Sequence, residues 1–307
     1  FFKQKTAYEI VDCDWSSDVC SSDLAFMELG FLTPFSEDAL KTANEGPFTC
    51  IEIGGANGWI DDPAQQESAK KLLDQYDVRV ASFMTLGPNI RTTKADMAGE
   101  LATMGRLMDM ANDFGGAILT GAAPMGWDPS KSLAENVALF KEVYSPVADL
   151  AETKGVNIAF ENWPGGRGPF GEGGNLTVTP EAIAAMFEAV PSQRIGLEFD
   201  PSHFIWQGID SMRAVREFID RIHIIHAKDT EMDDDQVAWR GTYSRGWWRY
   251  RLPGFAKFDW QAFFALFYEL GWDGDIVIEH EDDSFGGDRR NLGFLLSGDY
   301  LKKSILE

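Results

Sequence analysis

Four hydrophobic runs in this chain each end in groups able to bind a cation or move a proton. IAFENWP ends at Glu161, GLEFDPSHF carries Asp200 and His203, IHIIHAKD carries His226 and Lys228, and IVIEHED carries Glu279. Three carboxylates and an imidazole brought to one point make a donor set for a divalent cation. Glu161, Asp200, His226 and Glu279 are the ligand candidates, and so oxygen-rich a set favours one Mn²⁺, Mg²⁺ or Co²⁺ ion and admits Zn²⁺. Two glutamates beside one cation can also exchange protons with carbon. Glu161 or Glu279 takes a proton next to a carbonyl, its partner returns one to the opposite face, and the cation stabilises the enediolate between them. That chemistry epimerises a sugar carbon or interconverts aldose and ketose.

Around this pair, His203 in DPSH is expected to orient a substrate hydroxyl, because Pro201 ends the strand and turns both Asp200 and His203 toward the same side. Lys228 shares its strand parity with His226 and could reach a substrate oxygen or pair with Asp229. Arg251, with Arg249 in RYRLPG, is a candidate for a substrate oxyanion or hydroxyl, and Trp163 offers an aromatic face to the C–H side of a sugar. His223 and His280 have the opposite parity and are expected to face outward as structural residues.

Runs of β-branched and apolar residues read as buried strands, and side chains alternate faces along a strand. Ile158 and Phe160 oppose Glu161; Leu197 and Phe199 oppose Asp200; Ile276 and Ile278 oppose Glu279. In each the bulky face lies away from the candidate ligand, as in a barrel that presses its greasy side on outer helices. The third run fits less well, because His226 shares a face with Ile222 and Ile224.

Further such runs at 26–32, 49–53, 78–84 and 116–120 bring the expected strands to eight, the other four lying at 156–161, 194–200, 220–227 and 275–280. Between them run helical patterns. Met97, Leu101, Met104, Met108, Ala111 and Phe114 form an apolar stripe over 94–114, and another helix covers about 132–154. Thr179-Pro180-Glu181 and Asp259 read as helix starts, and Gly115, Gly155 and Gly271 as stops. Eight strand–helix alternations define a single-domain (β/α)8 barrel, whose functional groups gather at the C-terminal ends of the strands. The competing open doubly wound sheet would want a glycine fingerprint that GGANG at 54–58 lacks. The segments 162–178 and 229–258 read as long rim loops over a substrate.

The chain has 307 residues, 44% of them hydrophobic, enough for one large, well-filled domain. A formal charge of −22 repels phosphate backbones and anionic bilayers, so neither nucleic acid nor membrane is an expected partner. Residues 1–24, rich in Ser and Asp and without a signal-peptide core, read as adaptor-derived or disordered sequence, leaving 25–307 as the barrel with its N-terminus truncated. Cys13 and Cys20 lie in that segment, so Cys50 is the only cysteine of the barrel, consistent with a reducing cytoplasm.

The ordered set ENWP, FDPSH, HAKD, PGFAKFDW and IEHE resembles the xylose isomerase-like TIM barrel superfamily, the sugar phosphate isomerase/epimerase group that includes endonuclease IV. The resemblance runs from about residue 26 to the C-terminus. It implies that Glu161, Asp200, His226 and Glu279 hold the metal, that the two glutamates are the acid/base pair, and that His203 touches a small sugar substrate. It leaves homo-oligomerisation open. Two positions depart from the ketose epimerases: a second glutamate and an arginine of that branch correspond here to Arg167 and Met232. Arg249 or Arg251 could stand in for the latter. With four histidines and strong acidity, the chain does not match the zinc-dependent DNA-repair branch. The reading is a metal-dependent sugar isomerase or epimerase; the alternatives are a 3-keto-glycoside lyase using the same site and a sugar-binding non-enzyme.

Overall fold

A computed structural model describes residues 26–121, 123–165, 174–242 and 244–305. Residues 1–24 and Arg167 lie outside the described residues. Eight parallel strands close into a barrel: β1 (Met27–Thr33), β2 (Cys50–Gly54), β3 (Arg79–Met84), β4 (Ile118–Thr120), β5 (Ile158–Glu161), β6 (Ile195–Phe199), β7 (Ile222–Ala227) and, after the hairpin strands β8 (Asp229–Met232) and β9 (Trp248–Arg251), β10 (Gly274–Ile278). Around the ring, β5, β6, β7 and β10 are consecutive neighbours, so their C-terminal ends share one rim.

Most of the core lies between barrel and helices. Ile158, Phe160, Leu197, Phe199, Ile276 and Ile278 all join one large buried cluster with the helix residues Tyr144, Phe187, Phe263 and Phe267. A separate small cluster, Cys50, Ala81, Ala159, Ile224 and Val277, has the opposite parity and faces the barrel axis. Ile224 beside His226 is therefore part of the axial filling. Ile222 lies in the outer cluster, so of the two only Ile224 shares the axial face with His226.

Two register shifts break the ladder. One lies between Ile51 and Glu52 of β2, where Ala81 is extra on β3; the other lies between Leu197 and Glu198 of β6, where His223 is extra on β7. A bulge re-aims the neighbouring side chains. The extra residue His223 does not face the helices as parity alone indicates. Its ring fills the space that a Cβ on Gly196 would take, at 2.2 Å from that position. His280 does pack outward, edge-on against Phe294.

The helices begin and end where their local chemistry requires. Ser132 accepts from the Glu135 amide while the Glu135 carboxylate accepts from the Ser132 amide, a reciprocal cap on Leu133–Lys154, and Gly155 closes it at φ 71°. Thr179 and Asp259 cap Pro180–Ala189 and Trp260–Glu269. The segment 229–258 is not a simple loop. β8 and β9 pair antiparallel around a helix, Asp234–Arg240, forming an ordered hairpin at the rim. None of the helices among the described residues is long and apolar enough to cross a membrane.

Candidate active site

Asp200 follows β6, and its Oδ1 accepts from the Ser202 amide at 2.7 Å as the N-cap of Pro201–Gln207. Pro201 at the first helical position needs no amide partner, so strand converts to helix within one residue. His203 falls on that first turn, and Asp200 Oδ2 is left facing it at 3.3 Å. Asn162 bridges the neighbouring strand ends, donating to the Asp200 carbonyl at 2.8 Å and accepting from the Asp200 amide at 2.7 Å. The Glu161 carbonyl accepts from Asn175 and Thr177, each at 2.8 Å, which fixes the carboxylate's backbone.

Ligand-type atoms of Glu161, Asp200, His203 and Glu279 lie within 4.8 Å of one another. His226 sits alongside, with Nδ1 at 3.3 Å from Glu279 Oε2 and 3.7 Å from Glu161 Oε1. Its other nitrogen belongs to a second group: Nε2 is 2.7 Å from both Glu52 Oε2 and Glu198 Oε1. Three of the four residues expected to share a cation, Glu161, Asp200 and Glu279, thus stand in one group. His203 is the histidine grouped with the three carboxylates, while His226 joins them through one ring atom.

His226 Nδ1 and Asp200 Oδ2, both beside the carboxylate cluster, are buried without a hydrogen bond. The second has the Lys228 ammonium 3.1 Å away, close enough for an ion pair but without hydrogen-bond alignment. Unpaired buried polar atoms are rare and costly, and an imidazole nitrogen beside carboxylates is what a divalent cation would satisfy. The residues fit such an ion.

Lys228 itself is 1% exposed, and its Nζ donates to Glu279 Oε2 at 2.5 Å and Glu281 Oε2 at 2.9 Å. Burial alone would drive the proton off, but Asp200, Glu279 and Glu161 reverse that and hold the ammonium well above its ordinary value. Burial likewise disfavours the Glu279 carboxylate, yet Lys228 outweighs it and lowers its pKa to about 2. For Glu161, burial is overcome by the hydrogen bond of His203 and by the neighbouring His226 ring and Lys228 charge, leaving it well below the usual carboxylate range. His226 is pushed down by burial and raised well above its ordinary value by the charges of Glu198, Glu52 and Glu279. Glu198 goes the other way, raised well above its ordinary value by burial and by the charge of Glu52.

The hairpin adds a residue that sequence reasoning did not single out. Tyr250 on β9 places its hydroxyl 2.8 Å from His203 Nδ1 and its ring 4.4 Å from Lys228 Nζ. Trp248 leans on Tyr250 at 4.6 Å and stacks on Trp206 at 5.0 Å and 3°. Arg251 has other partners than a substrate: it donates to Asp282 Oδ2 at 2.7 Å and to Glu231 Oε2 at 2.5 Å, tying the hairpin to the loop after β10. Arg249 pairs with the same Glu231 on an exposed edge. Trp163 is half-buried just past Glu161, its carbonyl accepting from Asn175 at 2.9 Å. Glu52 and Glu198 were also missed. The available signal was a carboxylate in the middle of an apolar strand at inward parity, which burial makes expensive unless paired.

Parallel strands closed into a ring, with acids and imidazoles at their C-terminal ends, define a (β/α)8 barrel carrying a metal-type donor site. The chain belongs to the family described as the xylose isomerase-like TIM barrel, which matches residues 40–303. It is 23% identical over 297 residues to an inosose dehydratase of Geobacillus thermodenitrificans, covering 92% of each chain. Two solved structures share its fold. A 3-keto-D-glucoside 4-epimerase from E. coli superposes with a TM-score of 0.65 at 15% identity, covering 90% of this chain and 99% of the other. A D-psicose 3-epimerase from Clostridium cellulolyticum superposes with a TM-score of 0.65 at 14% identity, covering 91% and 99%.

Proposed function

We propose that this protein is a divalent-metal-dependent enzyme that removes and replaces a proton beside the carbonyl of a keto-sugar or keto-polyol, as an epimerase or isomerase. The observation that carries this reading is the convergence of Glu161, Asp200 and Glu279 within 4.8 Å, with the unpaired Nδ1 of His226 at their edge. Glu161, Asp200, Glu279 and His226 would hold the ion. Bound there, a divalent cation supplies Lewis-acid polarisation of a carbonyl oxygen.

The chain's own groups do the rest. Glu161 and Glu279 reach the site from β5 and from the end of β10, so substrate between them presents a C–H to one carboxylate and its opposite face to the other. Both are kept ionised by cationic neighbours, so either can act as base at neutral pH. His203, gripped by Tyr250 on one nitrogen and by Glu161 on the other at 3.1 Å, orients the Glu161 carboxylate and would hold a substrate hydroxyl by exchanging one of those partners. Lys228 adds an ammonium that can donate to the developing enediolate oxygen.

A second reading is elimination, in which the same proton abstraction expels water or an aglycone. It is favoured by the buried ammonium of Lys228, an acid available to a leaving oxygen, and by the inosose dehydratase relative. The two separate by mass. Residues 25–307 loaded with Mn²⁺ are incubated in D₂O with a ketohexose, an inosose and a 3-keto-glycoside. Epimerisation adds one deuterium to a product of otherwise unchanged composition; elimination releases water or free aglycone. A sugar binder without catalysis would do neither, and that outcome sinks the proposal. Glu279→Gln, isosteric but unable to accept the proton, should lower kcat by roughly 10²–10⁴-fold.

A further inference from the structure

Beneath the carboxylate cluster lies a set of side chains that the reaction above does not use. Glu52 on β2 and Glu198 on β6 are both fully buried, and each places a carboxylate oxygen 2.7 Å from the same atom, Nε2 of His226. The other oxygen of each carboxylate is occupied. Thr120 Oγ1 donates to Glu52 Oε1, and the Gly121 amide donates to Glu198 Oε2 at 3.1 Å. Three strands therefore cooperate to aim two carboxyl groups at one ring nitrogen on a fourth. Both glutamates also sit at the two register shifts of the barrel, where an extra residue on the next strand re-aims the local side chains.

An imidazole nitrogen in hydrogen-bond alignment with a carboxylate oxygen at 2.7 Å is favoured as the protonated donor, because a lone pair there would face the Glu52 oxygen across a dry gap. Glu52 Oε2 is aligned for that hydrogen bond, whereas Glu198 Oε1 lies at the same distance off its axis. With Nε2 committed as the N–H, the lone pair of neutral His226 is confined to Nδ1. That atom has no hydrogen bond and stands 3.3 Å from Glu279 Oε2.

We infer that Glu52, seconded by Glu198, is a positioning residue that fixes His226 as the Nε2–H tautomer and so presents Nδ1 to a divalent cation in the carboxylate cluster. The inference rests on His226 being a ligand, as proposed above. Outer carboxylates of this kind typically change metal affinity by roughly 10–100-fold.

The test is Mn²⁺ affinity and stoichiometry, measured by competition with a fluorescent chelator, for the wild-type protein and for Glu52→Leu, Glu198→Leu and Glu52→Gln. Leucine removes the acceptor; glutamine keeps an oxygen that can still accept from Nε2. One ion per chain is expected throughout, with affinity weakened roughly 10–100-fold in Glu52→Leu, less in Glu198→Leu, and largely restored in Glu52→Gln. Tight wild-type binding matched by a folded Glu52→Leu would overturn this inference and leave the proposed function standing. No binding by the wild type would remove both. A second measurement needs no variant: ¹⁵N-histidine spectra of the Zn²⁺-loaded wild type, with four histidines to assign. A protonated Nε2 and a metal-shifted Nδ1 on His226 support the assignment, and the reverse pattern overturns it.

Discussion

Lys228 sits among Asp200, Glu279 and Glu281 with almost no exposure, and its ammonium satisfies the same carboxylates that a divalent ion would contact. Its buried charge is balanced only because those acids surround it, and removing one partner of such a set leaves the others uncompensated. Lys228→Met should therefore destabilise the metal-free protein by about 3–5 kcal/mol. Much of that loss should return on adding Mn²⁺, because an ion bound only by the folded state stabilises it by mass action. Differential scanning calorimetry with and without Mn²⁺ checks this: the variant should gain more in Tm than the wild type, and equal gains would separate Lys228 from the cation site. At this scale the sequence was informative where side chains end a strand. Glu161, Asp200, His226 and Glu279 were legible because hydrophobic runs stop at them. Glu52 and Glu198 were not, since each lies inside an apolar strand and its value appears only when β2, β6 and β7 are seen around one axis. Arg251 was misleading for a related reason. A guanidinium near the rim suits a substrate oxyanion in sequence, and in space Asp282 and Glu231 take it first.

Elements were the most legible level. All eight barrel strands lie where the apolar runs put them, because a parallel strand covered on both sides must be nearly continuous in hydrophobic residues. The hairpin of β8 and β9 was not visible, since DTEM and WRYR have neither an apolar run nor a clean alternation and an acidic helix separates them. Its consequence is functional geometry, because it delivers Tyr250 to His203. The bulge on β7 was equally hidden, for a parity argument assumes an unbroken ladder. That bulge makes Gly196 a sensitive position. A Cβ there would meet His223 Nε2 at 2.3 Å and the Arg221 carbonyl at 2.4 Å, and the carbonyl is backbone that cannot swing aside. Gly196→Ala should cost about 1–3 kcal/mol, the usual penalty of overpacking. Urea denaturation reads it directly, and an unchanged midpoint would show that β6 can shift without loss.

For the molecule as a whole, the half-buried His223 on β7 and the buried Asp229 on β8 make stability depend on pH in opposite senses. His223 is lowered from 6.5 to about 4, first by burial and then by the charge of Arg221. The unfolded chain takes up that proton near pH 6.5 while the folded protein refuses it until about 4, so this contribution is complete above 6.5 and is lost as pH falls through the window. Asp229 is raised from 3.8 to about 6, chiefly by burial. The folded protein keeps that proton to about pH 6 while the unfolded chain releases it near 3.8, so this contribution is complete below 3.8 and is lost as pH rises through 6. Each shift corresponds to about 3 kcal/mol, and between pH 6 and 4 the two nearly cancel. Removing one should expose the other. His223→Gln should become more stable relative to wild type as pH falls from 6.5 to 4, and Asp229→Asn should become less stable over the same interval. Urea midpoints at pH 7, 5.5 and 4.5 for the three proteins decide it. Parallel curves would mean that neither proton is held as the surroundings of these two side chains require.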